Sequence, residues 1–182
     1  MDIDQKLYKE FLAGNMKSFD TLVDKYRNII VSFINTYVKE YDVSEDLAQD
    51  VFVYVLINRK EYDFKYSMKT YFYTIARCRA INYLKRKNKI VYMDECYIND
   101  VGTNITEEQL LINDERKSVY RAIERLNSNQ QKKVLYLADI EDMSYKEVAR
   151  ILDISLSQVK MTLHRARKCL KNILEMEEIK NG

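Results

Sequence analysis

Proline is absent from the chain, glycine occurs three times and histidine once. With so little to interrupt them, apolar patterns of 3.6-residue period run on, and the clean alternation of strands is missing; the expected fold class is all-α. No apolar run reaches the ~20 residues of a membrane span, which excludes direct membrane insertion. The three cysteines, Cys78, Cys96 and Cys169, lie far apart with no C-x-x-C pair. That spacing suits free thiols in a reducing compartment better than a disulfide frame or a zinc site. The single histidine, His164, has no second histidine to share a metal with, and Cys169 is not a natural same-face partner, so no metal is expected. The opening MDIDQKLYKEFLAG begins with acids and has neither a basic n-region nor an unbroken apolar h-region. Export is therefore not expected, and the cytoplasm is the expected location. A Gly-rich phosphate loop, a nucleophile with its base and a carboxylate cluster at ligand spacing are all missing as well. Neither an enzyme nor a cofactor is expected.

What is there is charge, sorted into blocks. The 182 residues are 47% hydrophobic and 32% charged, enough for one compact domain or two small ones. The net charge of +2 says little by itself. Its distribution says more: residues 1–64 hold twelve acids against eight bases, residues 74–89 six bases and no acid, and residues 90–115 seven acids and no base. Segregated basic blocks are an electrostatic footprint of nucleic-acid binding.

Periodicity divides the chain into two helical domains, 1–89 and 106–182, joined by a flexible acidic linker over 90–105. From Gln5 to about Lys39, Leu7, Phe11, Phe19, Leu22, Tyr26, Ile30 and Phe33 recur at helical spacing, interrupted by AGN at 13–15; this predicts two packed helices. Ser44 is expected to cap a third, with Glu45 and Asp46 in its first turn, running to about Asn58. A long basic helix follows, TYFYTIARCRAINYLKRKNK. The linker's ~16 residues could span up to roughly 55 Å, so the two domains can reach separated parts of one target. Beyond it stand four segments in capping-box form, Thr106 with Gln109, Ser128 with Gln131, Ser144 with Glu147 and Ser155 with Gln158. They predict four short helices.

The last pair, SYKEVARILD and SLSQVKMTLHRARKCL, has the form of a helix-turn-helix. Val148, Ala149, Ile151 and Leu152 make the inner face of the first helix, and Val159, Leu163, Ala166 and Leu170 that of the second. Asp153 falls at the tight turn, where its short polar side chain tolerates the left-handed region, and Ile154 is expected to plug the core between the helices. Burying those stripes leaves Ser157, Gln158, Lys160, Met161, His164, Arg165 and Lys168 outside. These are the expected DNA-reading residues, since Gln or Arg can pair with base edges while Lys and Arg hold phosphates.

Upstream, residues 62–89 interleave Tyr62, Phe64, Tyr66, Tyr71, Phe72, Tyr73 and Tyr83 with eight lysines and arginines. Aromatic faces stack on unpaired bases and cations attract any backbone, a combination suited to single-stranded or opening DNA. Phe72, Ile75, Leu84 and in part Tyr83 are expected in the core, leaving the other aromatics for this role. On the acidic helix, Asp46, Gln49, Asp50 and Val53 form a stripe opposite Leu47, Val51 and Val55. A polar outer face is the default for a surface helix and does not by itself identify a partner.

Taken together and in order, these segments resemble bacterial RNA polymerase sigma factors of the small, two-domain extracytoplasmic-function (ECF) group, over about residues 8–89 and 107–175. SEDLAQDVFVYVL resembles the segment that docks on the clamp helices of the polymerase β′ subunit, which implies Asp46, Gln49, Asp50 and Val53 as polymerase contacts. SMKTYFYTIARCRAINYLKRK is similar to the segment that captures a flipped base of the −10 element and separates the strands. That likeness implies Lys65, Met68, Lys69, Tyr71, Arg77, Cys78, Asn82, Lys85 and Arg86 as −10 contacts, with the loop 63–69 as a base pocket. MSYKEVARILDISLSQVKMTLHRARK resembles the helix-turn-helix that reads the −35 element. Tyr71 stands where the family usually has tryptophan, Cys78 where it often has asparagine, Asn82 where it often has aspartate, and Thr162 where it usually has arginine. The resemblance implies as partners core RNA polymerase, through the β′ clamp helices and β flap, promoter DNA, and an anti-sigma factor, often membrane-anchored. The residues alone also admit a stand-alone helix-turn-helix regulator, which would bind its site tightly without polymerase. They admit as well a helical adaptor with no nucleic-acid role, which would tolerate loss of Lys160 and Arg165.

Overall fold

A computed structural model describes residues 2–91, 122, 123 and 125–181, with the backbone alone at 88–91 and 177–181. Its described residues contain helices and turns and no strand. They belong to two compact units, Met1–Val101 and Gly102–Gly182. The expected capping box at Thr106, Cys96 and the expected linker lie outside the described residues, except that residues 90 and 91 continue a helix.

In the first unit α1 (Ile3–Leu12), α2 (Met16–Val38), α3 (Tyr41–Ile57) and α4 (Met68–Val91) follow one another, and α2 packs against the other three. Two short corners make this possible. Gly14 (φ 105°) turns the chain between α1 and α2, and Lys39 (φ 61°) does so between α2 and α3. The positive φ at Gly14 is one that side-chain-bearing residues rarely adopt, which explains one of the few glycines. Tyr8, Phe11, Leu22, Ile30, Phe33 and Val51 are fully buried. Edge-to-face pairs lock the layers: Phe33 meets Tyr73 at 4.6 Å and Phe52 meets Phe72 at 5.4 Å between ring centroids.

One expected cap is overturned. α3 begins at Tyr41, so Ser44 lies inside the helix, where its buried hydroxyl donates to the Glu40 carbonyl at 2.7 Å. Once its donor was satisfied by the preceding turn, the serine no longer had to sit at an end. The cap that the sequence reading passed over is Asp2, which accepts from the Gln5 amide at 2.7 Å while Gln5 reaches back to the Asp2 amide at 3.3 Å. It is a capping box written with Asp rather than Ser.

In the second unit the described elements are α5 (Asn129–Leu135), a π turn at Tyr136–Ile140, α6 (Tyr145–Leu152) and α7 (Leu156–Asn181). Ser144 and Glu147 form a full capping box, as do Ser155 and Gln158; at Ser128 only the hydroxyl cap on the Gln131 amide is made. The last helix, expected to be short, runs 26 residues. Among the residues whose side chains are described, the buried ones, Val159, Leu163 and Ala166, all lie in the first half.

Candidate nucleic-acid and polymerase interfaces

The geometry of α6 and α7 follows from one turn. Asp153 ends α6 at φ 53°, ψ 50°, the left-handed conformation anticipated for it, and the Ile154 amide donates to the Ala149 carbonyl at 3.0 Å. This closes the turn within three residues, so α7 starts directly beneath Val148, Ile151 and Leu152, all buried. Ile154 itself is half-buried at the junction, as is Leu170 further along. Ser157, Gln158, Lys160, Met161, His164, Arg165 and Lys168 are all exposed, with Met161 at 50%. They occupy the face left over once the buried stripe is set.

Not every cation of α7 belongs to that face. Arg167 is held by Asp139 of the π turn through two parallel bonds, Nε to Oδ2 at 3.0 Å and Nη2 to Oδ1 at 2.6 Å. These bonds to Asp139, with help from Tyr145, push its pKa above the usual arginine value. Arg167 thus ties α7 to its own unit, whereas Lys160, Arg165 and Lys168 have no ion pair among the described residues.

In the first unit the loop between α3 and α4 is a built structure. Asp63 starts it with a side-chain turn, accepting from the Lys65 amide at 3.0 Å, and its carbonyl accepts from the Tyr66 amide at 3.1 Å. The Tyr62 hydroxyl donates to the Tyr66 carbonyl at 2.5 Å. Lys65 projects into solvent, with Phe64, Tyr66, Ser67 and Lys69 half-buried around it. Along α4, Cys78, Asn82, Lys85 and Arg86 are exposed at i, i+4, i+7 and i+8, a spacing that keeps them on one side.

Several expected contacts sit elsewhere. Met68 is 0% exposed, a core residue at the first turn of α4, and drops out of any DNA-facing set. The resemblance implied it as a −10 contact, but its apolar side chain is packed inside the first unit. Tyr62 and Tyr73 are also core, so the aromatics left at the surface are Phe64, Tyr66, Tyr71 and Tyr83, each half-buried. Tyr71 leans on Tyr62 at 5.1 Å between centroids. Its hydroxyl is buried without a partner among the described residues, and burial, helped by Tyr54 and Glu61, pushes its pKa up to about 12. Arg77 is half-buried with its charge beside the Tyr37 hydroxyl of α2, Arg79 lies over the Tyr54 ring at 5.0 Å, and Lys87 pairs with Glu40. These three cations are partly engaged in holding α4 to its neighbours.

On α3, Asp46, Gln49, Asp50 and Val53 are all exposed, at i, i+3, i+4 and i+7. Val51 and Val55 are fully buried on the other side, with Leu47 half-buried. Leu56 and Ile57 continue the outer stripe at i+10 and i+11, and Ile57 is 72% exposed. The sequence reading stopped at Val53, although the same periodicity would have found both.

Against known proteins, the sigma-70 region 2 model matches residues 22–90 and the sigma-70 region 4 model residues 116–170. RNA polymerase sigma factor YlaC of Bacillus subtilis is 34% identical over 162 residues, covering 86% of this chain and 93% of that protein. The ECF RNA polymerase sigma-E factor of Haemophilus influenzae is 26% identical over 182 residues, 94% of this chain and 95% of its own. The chain belongs to the ECF family of RNA polymerase sigma factors. It is a promoter-recognising factor, with α3, the loop and α4 inside region 2 and the helix-turn-helix inside region 4. The solved structure of the sigma factor RpoE with the anti-sigma factor NepR from Bartonella quintana shares the fold. Its TM-score is 0.69 at 19% identity, over 87% of this sigma factor and 98% of that chain. Helix α1 lies outside the region 2 match, and its role has to be read from contacts alone.

Proposed function

We propose that this sigma factor divides promoter recognition between its two units along the surfaces just described, as domains 1–89 and 106–182 with residues 90–105 linking them. The exposed face of α7 reads the −35 element: Gln158, Lys160, His164 and Arg165 lie in the major groove, with Ser157, Met161 and Lys168 at its margins. The loop 63–67 and the exposed side of α4 hold the −10 element, Lys65, Lys69, Cys78, Asn82, Lys85 and Arg86 on backbone and bases and Tyr71 as a stacking platform. Arg77 steadies α4 from its place beside Tyr37. Asp46, Gln49, Asp50 and Val53, extended by Leu56 and Ile57, dock on the polymerase β′ clamp helices, and the C-terminal unit sits on the β flap. The factor carries out no chemistry of its own and works in the cytoplasm, where polymerase and promoters are.

The observation that carries this reading is the sorting of side chains on α7. Every residue expected to reach DNA is exposed, every residue of the inner stripe in its first half is buried, and the one arginine aimed elsewhere is already paired. Steric room and unpaired donors are what base and phosphate contacts require. An anti-sigma protein is proposed as a further partner, supported by the Bartonella structure, in which a sigma factor of this fold is bound to one. Run-off transcription with core polymerase over a genomic promoter library tests the whole assignment. Initiation from promoters sharing both elements is expected, and failure to initiate from any would overturn it.

A further inference from the structure

The loop between α3 and α4 is fastened from an unexpected place. Gln5, on α1, is 9% exposed and separated from the loop by nearly sixty positions. Its Nε2 directs its two hydrogens at the Phe64 carbonyl at 3.0 Å and the Tyr66 carbonyl at 3.0 Å, with the Tyr62 hydroxyl sharing one of them at 3.2 Å. Carbonyl oxygens only accept, so the amide nitrogen must be the atom that faces them. What turns it that way is the capping box, in which the Gln5 Oε1 accepts from the Asp2 amide at 3.3 Å. One side chain therefore both starts α1 and grips two carbonyls on either side of Lys65.

The neighbours of Gln5 on α1 reinforce the grip. Tyr8 sets its ring edge against Tyr62 at 5.0 Å and donates its hydroxyl to the Arg59 carbonyl at 2.8 Å, just before the loop. Lys9 places its ammonium 5.3 Å from the Phe64 ring centre. The Tyr62 hydroxyl, which Gln5 donates to, itself donates to the Tyr66 carbonyl, so the tyrosine relays the same restraint. Backbone carbonyls held at two points fix where Lys65 projects between them.

We infer that Gln5 is a positioning residue that sets the conformation of the loop and thereby the base preference at the −10 element. The inference rests on the proposed role of that loop. It assigns to α1, which the region 2 match leaves out, a part in specificity without any contact to DNA.

Gln5→Glu tests it cleanly. The glutamate keeps the length and the acceptor for the Asp2 amide, so the start of α1 survives, but it turns a carboxylate toward two carbonyl oxygens. Gln5→Ala removes the grip without adding charge. Initiation by the complete factor with core polymerase is measured over promoters randomised at −10 or at −35, alongside core affinity and thermal unfolding. The expected result for both variants is that discrimination at −10 narrows by about tenfold, within the range one good base contact supplies. Preference at −35 and affinity for core stay unchanged. Unaltered −10 preference in both variants would overturn the inference, as would a uniform loss of all three readouts in step with loss of folded protein. Lys65→Ala, in the exposed middle of the loop, separates the levels. If it changes −10 preference while the Gln5 variants do not, positioning by Gln5 is refuted and the loop's role stands. If all three leave it unchanged, the loop's role is refuted and the inference falls with it.

Discussion

Replacing Lys160 and Arg165 together by alanine tests how the cations of α7 are divided, and the salt dependence of promoter binding gives the magnitude. Both residues are exposed on the face opposite Val159 and Leu163 and carry no ion pair among the described residues. Each cation that neutralises one phosphate contributes about 0.9 to the slope of log affinity against log salt, so losing both should lower the slope by about 1.8. Between 50 and 200 mM salt that is roughly a twelvefold difference in how far affinity falls, the wild type falling further. Arg167→Ala is the internal control. Its guanidinium is committed to Asp139, with side chains 51% and 29% exposed, a pair worth at most about 1 kcal/mol after solvent screening. It should cost a little stability and leave the slope alone. The assay is fluorescence anisotropy of labelled promoter DNA with the factor on core polymerase across that salt series. An Arg167→Ala slope reduced as much as that of Arg165→Ala, or a double variant with the wild-type slope, would refute the sorting of these cations into DNA-facing and structural.

Met68→Ala should destabilise the first unit by about 2–5 kcal/mol in urea denaturation, as expected for a fully buried methionine. At temperatures where it remains folded, its relative preference among −10 sequences should match wild type. Asp50→Lys and Val53→Glu, both on the exposed stripe of α3, should each shift unfolding by less than about 0.5 kcal/mol while weakening co-purification with core polymerase. Tyr71→Phe should leave stability at neutral pH unchanged or raised by up to about 1 kcal/mol, because the deleted hydroxyl is buried without a partner. At alkaline pH a sign follows from the same burial. Tyr71 and Tyr37 hold their protons to about 12 against an ordinary 10.0, so the stability they supply is complete below the unfolded value and lost as pH climbs through the folded one. The urea midpoint should fall between about pH 10 and 12, and fall less in Tyr71→Phe.

The helix-turn-helix was nearly complete in the sequence because its determinants are local. Ser144 with Glu147 and Ser155 with Gln158 find their partners three residues away, Asp153 meets its own backbone preference, and the buried and exposed faces of α7 follow from a period of 3.6. The exposed stripe on α3 was legible for the same reason, and should have been followed to Ile57. Elsewhere composition is a poor guide to position. Ser44 looked like a cap until α2 supplied a corner at Lys39 that let α3 begin four residues earlier. The aromatics Tyr62 and Tyr73 looked available to DNA because they sat among lysines, and Met68 because its segment resembles the −10 reader, yet all three are buried in the first unit.

By itself, then, the amino-acid sequence determined an all-helical chain, the helix-turn-helix and its exposed face, the charge blocks, and through the order of its motifs the sigma-factor family. Each of these depends on interactions between residues a turn or two apart, on how charge is distributed along the chain, or on the order in which local motifs follow one another. Only the tertiary structure decided which tyrosines are core and which cations are already spent on Asp139, Tyr37 and Glu40. It alone brought Gln5 to the loop at Phe64 and Tyr66. A hydrogen bond across nearly sixty residues leaves no periodic trace, since it exists only after α1 has packed beside the loop.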